Sequence, residues 1–452
     1  MGVRITRSRS AAVVGVVGAS LLLAACGGSS GGSSGGSSAA DCAAYKPYGK
    51  HDGKTVTIQT SIVAPEDTPQ IDSYKKFEEC TGIKINYQGD KSFEAQILVR
   101  AKAGNPPDLA IVPQPGLLKQ LVATGKAAAA PPEVAANVDK FWGEDWKGLA
   151  TIDGKFYAAP LGANVKSFVW YSPKMFKDGG YAIPTTQAEL KTLSDKIASK
   201  GDVKPWCAGI GSDAATGWPV TDWMEDMMLR LNGPDVYDKW VNHEIPFNGP
   251  ESTAALDAVG QYLKNPDYVN GGFGDVKSIA STAFQDGGQP ILSGQCYMHR
   301  QASFYAANWP EGTDVSENGD VFAFYFPAED ASSKPVLGGG EFILAFNAKP
   351  EVKAFQTFLS SDTWANEKVA NSPAGGWVSA NKGMDASKLK SPIDKLSAEI
   401  LQDPNAVFRF DGSDQMPGAV GSNSFWKGAT NWITGQSTKA TVDAIEKSWP
   451  AS

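Results

Sequence analysis

The sequence predicts an α/β protein folded as two lobes, and three observations carry that reading. At 452 residues and 42% hydrophobic, the chain exceeds what one hydrophobic core ordinarily supports. Residues 55–112 alternate strand and helix patterns in the order βαβαβ, which builds a mostly parallel sheet with right-handed crossovers. Residues 156–176, FYAAPLGANVKSFVWYSPKMF, read as a strand ending at Pro160, a short Gly/Ala/Asn segment able to absorb a change of direction, and a β-branched and aromatic run over 165–171 that starts a second strand. A chain crosses from one lobe to another in this way, although two neighbouring strands of one sheet have the same local pattern.

At the N-terminus, Arg4, Arg7 and Arg9 precede an apolar run over 11–25 that is too short to span a bilayer and ends in Leu23-Ala24-Ala25-Cys26. Residues 1–25 are therefore expected to be an export signal. Leu-Ala-Ala-Cys followed by Gly27 resembles a bacterial lipobox, which implies that Cys26 is lipidated and holds the protein to the extracytoplasmic face of the cell membrane. Two acyl chains make such an anchor stable where one is marginal. Residues 26–40 are a Gly/Ser tract, expected to act as a flexible tether reaching roughly 20 Å. Its Gly27-Gly28-Ser29-Ser30-Gly31 matches G-x-S-x-G only formally, because the nucleophile elbow needs a strand–turn–helix context.

The formal net charge of -8 becomes more negative, -11, once the three signal arginines are gone, which argues against nucleic acid as a partner. Besides Cys26, the cysteines are Cys42, Cys80, Cys207 and Cys296. Four cysteines in an exported chain allow three connectivities; Cys42–Cys80 with Cys207–Cys296 is favoured because each bridge then stays within one lobe. No spacing among them suits zinc, and neither metal nor cofactor is expected.

In chain order, residues 55–62 read as a strand, Pro65-Glu66-Asp67 as a break, and 70–81 as a helix with Ile71, Tyr74 and Phe77 at helical spacing. A strand over 83–87, a helix over 93–103 and a buried strand over 108–112 follow. Ligands of such sheets sit beyond the carboxyl ends of the strands. Those ends supply Glu66, the loop residues Asp90 and Ser92, and Gln114, which Pro113 and Pro115 fix in place. Glu66 is equally readable as a solvated acid at a helix start.

Beyond the crossing, 184–199 reads as a helix with Leu190, Leu193 and Ile197 on one face. In GIGSDAATGWPVTDWMEDMMLRL, residues 209–231, Trp223, Met227, Met228 and Leu231 share a helical face and read as core. Trp218, Thr221 and Asp222 lie before or in the first turn, where backbone N–H groups and a carboxylate converge. A Trp beside an acid suits a sugar: the ring covers the C–H face and the carboxylate accepts hydroxyl protons. A packed Trp and an N-cap Asp are the plainer alternative. Residues 284–298 read as a helix and a strand, followed by His299, equally a surface histidine, and Arg300, whose planar fork can pair with vicinal hydroxyls.

LGGGEFILAF over 337–346 reads as a Gly-rich turn into a strand, with Gly339 and Gly340 admitting close backbone approach and Glu341 behind them. A helix over 352–360 follows. Trp377, after Gly375-Gly376, is a stacking candidate, and residues 408–425 carry Asp411 and Asp414 on the approach to Trp426. A helix over 438–448 closes the chain.

Several runs together resemble the extracellular solute-binding proteins of carbohydrate ABC importers, the maltose-binding-protein-like family, and within it the α-glucoside-binding lipoprotein branch. They are 160–171, FEECTGIKINY, AGNPPDLAIVPQPG, Trp218-Pro219, LNGPDVYDKWVNHEIPFNGP and Trp426, and the resemblance covers nearly all of 54–448. It implies the two-lobed type II periplasmic-binding-protein fold, the Venus flytrap, with three interlobe crossings at 160–171, 321–327 and near 362–371. Residues 41–160 and 327–364 then form the N-terminal lobe, and 161–326 with 365–452 the C-terminal lobe. The resemblance also implies a monomeric binding protein, not an enzyme, that captures a sugar in the cleft and delivers it to the transmembrane subunits of a permease. Asn164 and Lys166 stand where the family's first hinge faces ligand, and Gln114 where it contacts ligand.

Two alternatives remain. An exported carbohydrate-active enzyme would need two carboxylates at the separation glycoside hydrolysis requires, for which Asp222, Glu341 and Asp414 are candidates; with 3 His, no nucleophile or histidine constellation supports that chemistry. A surface sugar sensor could use the same fold.

Overall fold

The computed structural model describes residues 42–201, 203–270 and 275–450; the expected signal, Cys26 and the Gly/Ser tether lie outside them. Strands β1 (Thr55–Thr60), β2 (Lys84–Gly89) and β3 (Leu109–Val112) run parallel with β1 in the middle, as the βαβαβ pattern predicts. A small hairpin, β4 (Thr151–Ile152) and β5 (Lys155–Phe156), precedes β6 (Ala158–Val165). Strands β7 (Phe168–Tyr171), β8 (Lys204–Cys207), β9 (Val269–Asn270), β10 (Cys296–Arg300) and β11 (Phe322–Tyr325) form a second sheet in the order β11-β7-β10-β8-β9. With β12 (Lys334–Ala345) and β13 (Ala406–Phe410) the chain returns to the first sheet, whose order is β13-β12-β3-β1-β2 with β6 also paired to β12.

The lobe crossing differs from its sequence reading in where it turns. The strand does not end at Pro160: β6 continues to Val165, antiparallel to β12 from Ala158 opposite Leu344 to Val165 opposite Gly338. The change of direction falls at Lys166-Ser167, after which β7 enters the other sheet, so the two strands are not neighbours in one sheet. Nor are Gly338–Gly340 a turn. They lie inside β12, and a Cβ on Gly340 would come within 2.3 Å of the Gly162 carbonyl, one on Gly338 within 2.2 Å of the Phe408 ring. The glycines are needed because a strand and a ring pass too close for side chains. Residues 321–327 contain β11, and the return crossing is made by β12 itself. Asp362–Ala370 is a helix with no crossing in it; its Trp364 packs in the first lobe's core.

Two helices replace the single one expected over 70–81, Asp67–Asp72 and Lys75–Thr81. The Ser73 hydroxyl at the break donates to the Gln70 carbonyl at 2.6 Å and accepts from Trp364 Nε1 at 3.0 Å, offering the backbone an alternative to the helical ladder. Ile71 is left exposed. Residues 284–295 form turns and one short 3-10 segment, Gln289–Ile291, where a helix was expected; Gly287-Gly288, Pro290 and Gly294 deny a helix its backbone preference and one donor.

Apolar faces close around both sheets. Tyr74, Phe77, Phe355 and Phe358 fill one side of the first sheet, Phe93, Leu118, Phe342 and Leu344 the other. The second sheet carries a larger core that includes Trp170, Trp206, Trp223 and Trp240. Disulfides join Cys42 to Cys80 and Cys207 to Cys296, the pairing favoured above. Among the described residues, no helix is long and apolar enough to cross a membrane.

Candidate functional site

A cleft lies between the lobes where the first sheet's strands end. Thr60 and Ser61 at the end of β1, Gln114 after β3, Asn164 and Lys166 at the end of β6, and Gly340 with Glu341 on β12 line one side. Trp218, Asp222, Asp411, Asp414 and Trp426 line the other.

The opposing wall starts with the helix Trp218–Val241, which runs with a break at Gly233. Gly217 precedes it with φ 111°, a conformation that side chains resist, and a Cβ there would lie 2.1 Å from the Trp426 carbonyl. Glycine at this point brings the two tryptophans to the same wall. Trp218 meets Phe284 at 5.0 Å between ring centroids and Phe304 at 6.0 Å, leaving an aromatic corner.

One turn into that helix the side chains point inward to a buried charge cluster. Lys166 Nζ donates to Asp411 Oδ2 at 2.5 Å and to Asp222 Oδ1 at 3.1 Å, with Asp414 Oδ2 at 3.9 Å. Asp411 also accepts from the Ser413 hydroxyl and the Asp414 amide, both at 2.8 Å. Glu225 accepts from the Gly412 and Ser413 amides at 2.8 and 3.1 Å, which holds the turn in place. Burial opposes the Lys166 charge, but Asp222, Asp411 and Asp414 outweigh it and lift its pKa well above the ordinary value. Burial likewise opposes ionisation of Asp411, but Lys166 holds its carboxyl below the usual range. With the lysine committed to Asp411, burial pushes Asp222 up to about 7 against the pull of Lys166, and burial and Asp411 push Asp414 well upward. The cluster is thus one tight ion pair flanked by two carboxyls that hold protons readily.

Asp222 Oδ2, Asn164 Oδ1, Gln114 Oε1 and Trp426 Nε1 are buried with no hydrogen-bond partner among the described residues, and all four residues line the cleft. Three acceptors and a donor, held rigid and without a hydrogen-bond partner beside aromatic rings, are what a polyhydroxylated ring can satisfy; Asp222 Oδ2 has only Arg300 Nη1 at 3.8 Å.

Toward the cleft's other end Glu66 Oε1 accepts from Asn308 Nδ2 at 3.0 Å, a direct bond between lobes. Trp377 does not reach the main cleft; it lines an adjoining smaller cavity with Glu66, Glu341 and Lys368. Burial drives Glu66 up to about 7, against the Asn308 bond, and Lys368 down to about 7.

Other expected contacts are placed elsewhere. Asp90 folds onto its own loop, accepting from the Ser92 amide at 2.8 Å and Gln96 Nε2 at 2.7 Å, and leaves the cleft to Lys91 and Glu94. Thr221 is buried and its hydroxyl donates to the Trp218 carbonyl at 2.9 Å. His299 and Arg300 end β10 beneath the cleft floor, not on a loop after it. His299 Nδ1 bonds the Cys207 carbonyl at 3.1 Å, and burial lowers its pKa to about 4. Arg300 Nη2 donates to the Asp222 carbonyl at 2.9 Å and to Asp226 Oδ2 at 2.7 Å, so it positions Asp222 from behind. A side chain at Gly339 would meet Lys166 and Asn164, and Gly339 itself is not among the residues that line the cleft.

Phe284, Phe304 and Glu94 line the cleft without having been singled out. Phe284 sits in a turn and Phe304 in the short 3-10 segment Ser303–Asn308, neither with a periodic signal. Glu94 carried one, since it follows the loop after β2 at the start of a predicted helix. Gln114 Nε2 donates to it at 3.2 Å.

Residues 64–366 match the sequence family described as bacterial extracellular solute-binding protein. The chain is 38% identical over 413 residues to the alpha-glucosides-binding periplasmic protein AglE of Rhizobium meliloti, covering 88% of each. It is 36% identical over 409 residues to the osmoprotective compounds-binding protein GgtB of Synechocystis, covering 89% of this chain and 94% of that one. Among solved structures, the bacterial solute receptor AcbH matches with a TM-score of 0.72 at 19% identity over 87% of this chain and 98% of that one. Maltose-bound MalE3 of T. maritima matches with 0.68 at 14% identity, over 87% and 98%. These structural likenesses establish the fold as the two-lobed type II periplasmic-binding architecture.

Proposed function

This chain belongs to the bacterial extracellular solute-binding proteins, and from that premise we propose that it is the lipid-anchored receptor of an ABC importer, capturing an α-glucoside between its lobes for delivery to a permease. The observation that carries the sugar reading is the pairing of the Trp218 and Trp426 rings with the unpartnered buried polar atoms of Gln114, Asn164 and Asp222 around one cleft. The rings cover C–H faces and the polar atoms take hydroxyls, while Lys166 and Arg300 hold Asp222 in position. The α-glucoside preference draws support from the likeness to AglE, whose name states that specificity. The anchor draws support from the Leu-Ala-Ala-Cys run ending at Cys26.

Because the wall residues come from both lobes, a sugar that touches both favours the closed arrangement by its differential affinity. The lobe that carries the first sheet and the lobe that carries the second then close about the segments that join them, Lys166-Ser167 and β12 among them. Calorimetric titration against maltose, trehalose, sucrose and galactose, paired with small-angle scattering, tests this. Saturable binding of an α-glucoside with a smaller radius of gyration is expected; no binding across the panel, or binding at unchanged radius, overturns it.

A further inference from the structure

We propose that the cleft encloses a single sugar ring and that the remainder of the glycoside lies outside it, in a groove between the lobes that begins at Glu94 and Trp426. This rests on the sugar-binding reading above and names the class of ligand: glycosides with one recognised terminal pyranose and a tolerated second part.

The cleft measures about 170 Å³, well below the roughly 300 Å³ at which sites for drug-sized ligands begin. The adjoining cavity at Trp377 measures about 40 Å³, little more than the roughly 30 Å³ share of one liquid water. A second ring has no room in that direction. At the opposite end, Glu94 and Trp426 line both the cleft and a groove of about 880 Å³. Of these two neighbouring spaces, the groove is the one with room for a second ring.

The groove's chemistry suits a loosely held sugar. Its walls come from the helices Phe93–Lys102 and Pro115–Ala123 on one lobe and from residues 418–427 on the other. Ala95 and Ala419 are exposed and small, which leaves width. Gln120, Ser422 and Asn423 offer donors and acceptors there. They differ from the cleft's groups, which are buried and fixed: Asn423 is exposed and Gln120 and Ser422 half-buried, and polar side chains in contact with water give it up to bind a hydroxyl and so discriminate little between partners. Recognition is concentrated at the enclosed ring, tolerance at the open end.

The test uses the full chain, its Ala95→Trp and Ala419→Trp variants, and three probes: methyl α-D-glucopyranoside, maltose and maltotriose. Both alanines are exposed, so filling the groove leaves the cleft's own contacts in place, and retained binding of the methyl glucoside reports correct folding. Each variant is expected to keep the methyl glucoside affinity within twofold and to lose at least tenfold for maltose and maltotriose. Maltotriose bound by both variants as by the parent protein overturns the groove. A parent protein that binds maltose but not the methyl glucoside shows that two rings are enclosed and overturns the single-ring seat. If the parent protein binds none of the three, the α-glucoside reading of the cleft falls first, and the inference falls with it.

Discussion

Replacing Lys166 with Met tests whether one cation organises the floor of the cleft. The lysine lies 2.5 Å from Asp411, 3.1 Å from Asp222 and 3.9 Å from Asp414, and all four side chains are buried or nearly so. Removing one member of a buried pair costs roughly 3–5 kcal/mol, because the remaining charge keeps its desolvation penalty without its partner. At about 2.1 cal/mol/K of unfolding entropy per residue, some 400 ordered residues convert this into a melting point lower by about 4–6 °C. The deficit must also depend on pH. Without the lysine, Asp411 joins Asp222 and Asp414 in having a folded pKa raised above its unfolded value. Such carboxyls are protonated in the folded state and release protons on unfolding, so the variant loses stability as pH rises from about 4 through the raised values. Scanning calorimetry of the sugar-free protein should therefore show a small deficit near pH 5 and the full one near pH 8. A deficit below about 1 °C, or one of equal size at both pH values, would refute the view that Lys166 carries the cluster.

Two further substitutions separate site from support. Trp218→Ala removes ring area facing the cleft, worth roughly 2–3 kcal/mol or about 30- to 150-fold in sugar affinity, with little change in sugar-free melting; Trp223→Ala, one turn away in the core, should cost about 3–5 kcal/mol of stability, and equal behaviour of the two would remove Trp218 from the site. His299, ordinarily titrating near 6.5 and held down to about 4 by burial, contributes stability that is complete above its unfolded pKa and is lost as pH falls through about 4. That is about 3 kcal/mol, and His299→Gln should flatten the acid limb of the stability curve by that amount; an unchanged limb contradicts it.

Legibility in the sequence followed the range of the interactions. The β1–β3 unit was readable because Val56, Ile58 and Ile111 repeat with local periodicity, and Gln114 and Glu66 because strand ends point to the crevice. The crossing was readable in kind but not in register. Whether a Gly-rich run turns or continues depends on what passes alongside, and the Gly162 carbonyl beside Gly340 belongs to a segment far away in sequence. The same limit explains Arg300. Its guanidinium could face a ligand or an acid, and only the fold reveals Asp226 at 2.7 Å. Trp218 and Trp223 show the finer case. Both belong to one helix, and their positions along it separate them: Trp223 falls on the face that packs into the second lobe's core, while Trp218, the first residue of the helix, lines the cleft against Phe284 and Phe304.

The charge balance of the cleft makes a final claim about what it refuses. Glu66, Glu94, Asp222, Glu341, Asp411 and Asp414 line it against Lys91 and Lys166. Lys166 is committed to Asp411, which leaves Lys91, exposed to water and therefore screened, as the cation on the lining that offsets these acids. Burial already lifts Asp222 and Glu66 to about 7 and raises Glu94 and Glu341, the mark of a site that resists further negative charge. A ligand carboxylate placed about 4 Å from one ionised neighbour meets about 4 kcal/mol of repulsion at an effective dielectric near 20, close to a thousandfold in affinity. Salt offers little relief, since partly buried charges are weakly screened. Neutral glycosides incur no such penalty and find acceptors for their hydroxyls. Methyl α-D-glucuronide should therefore fail to displace a bound neutral glucoside at concentrations where methyl α-D-glucopyranoside succeeds, in low and in high salt alike; displacement by the two at similar concentrations would show that the acids are turned from the ligand or fully protonated, and that shape alone selects the sugar.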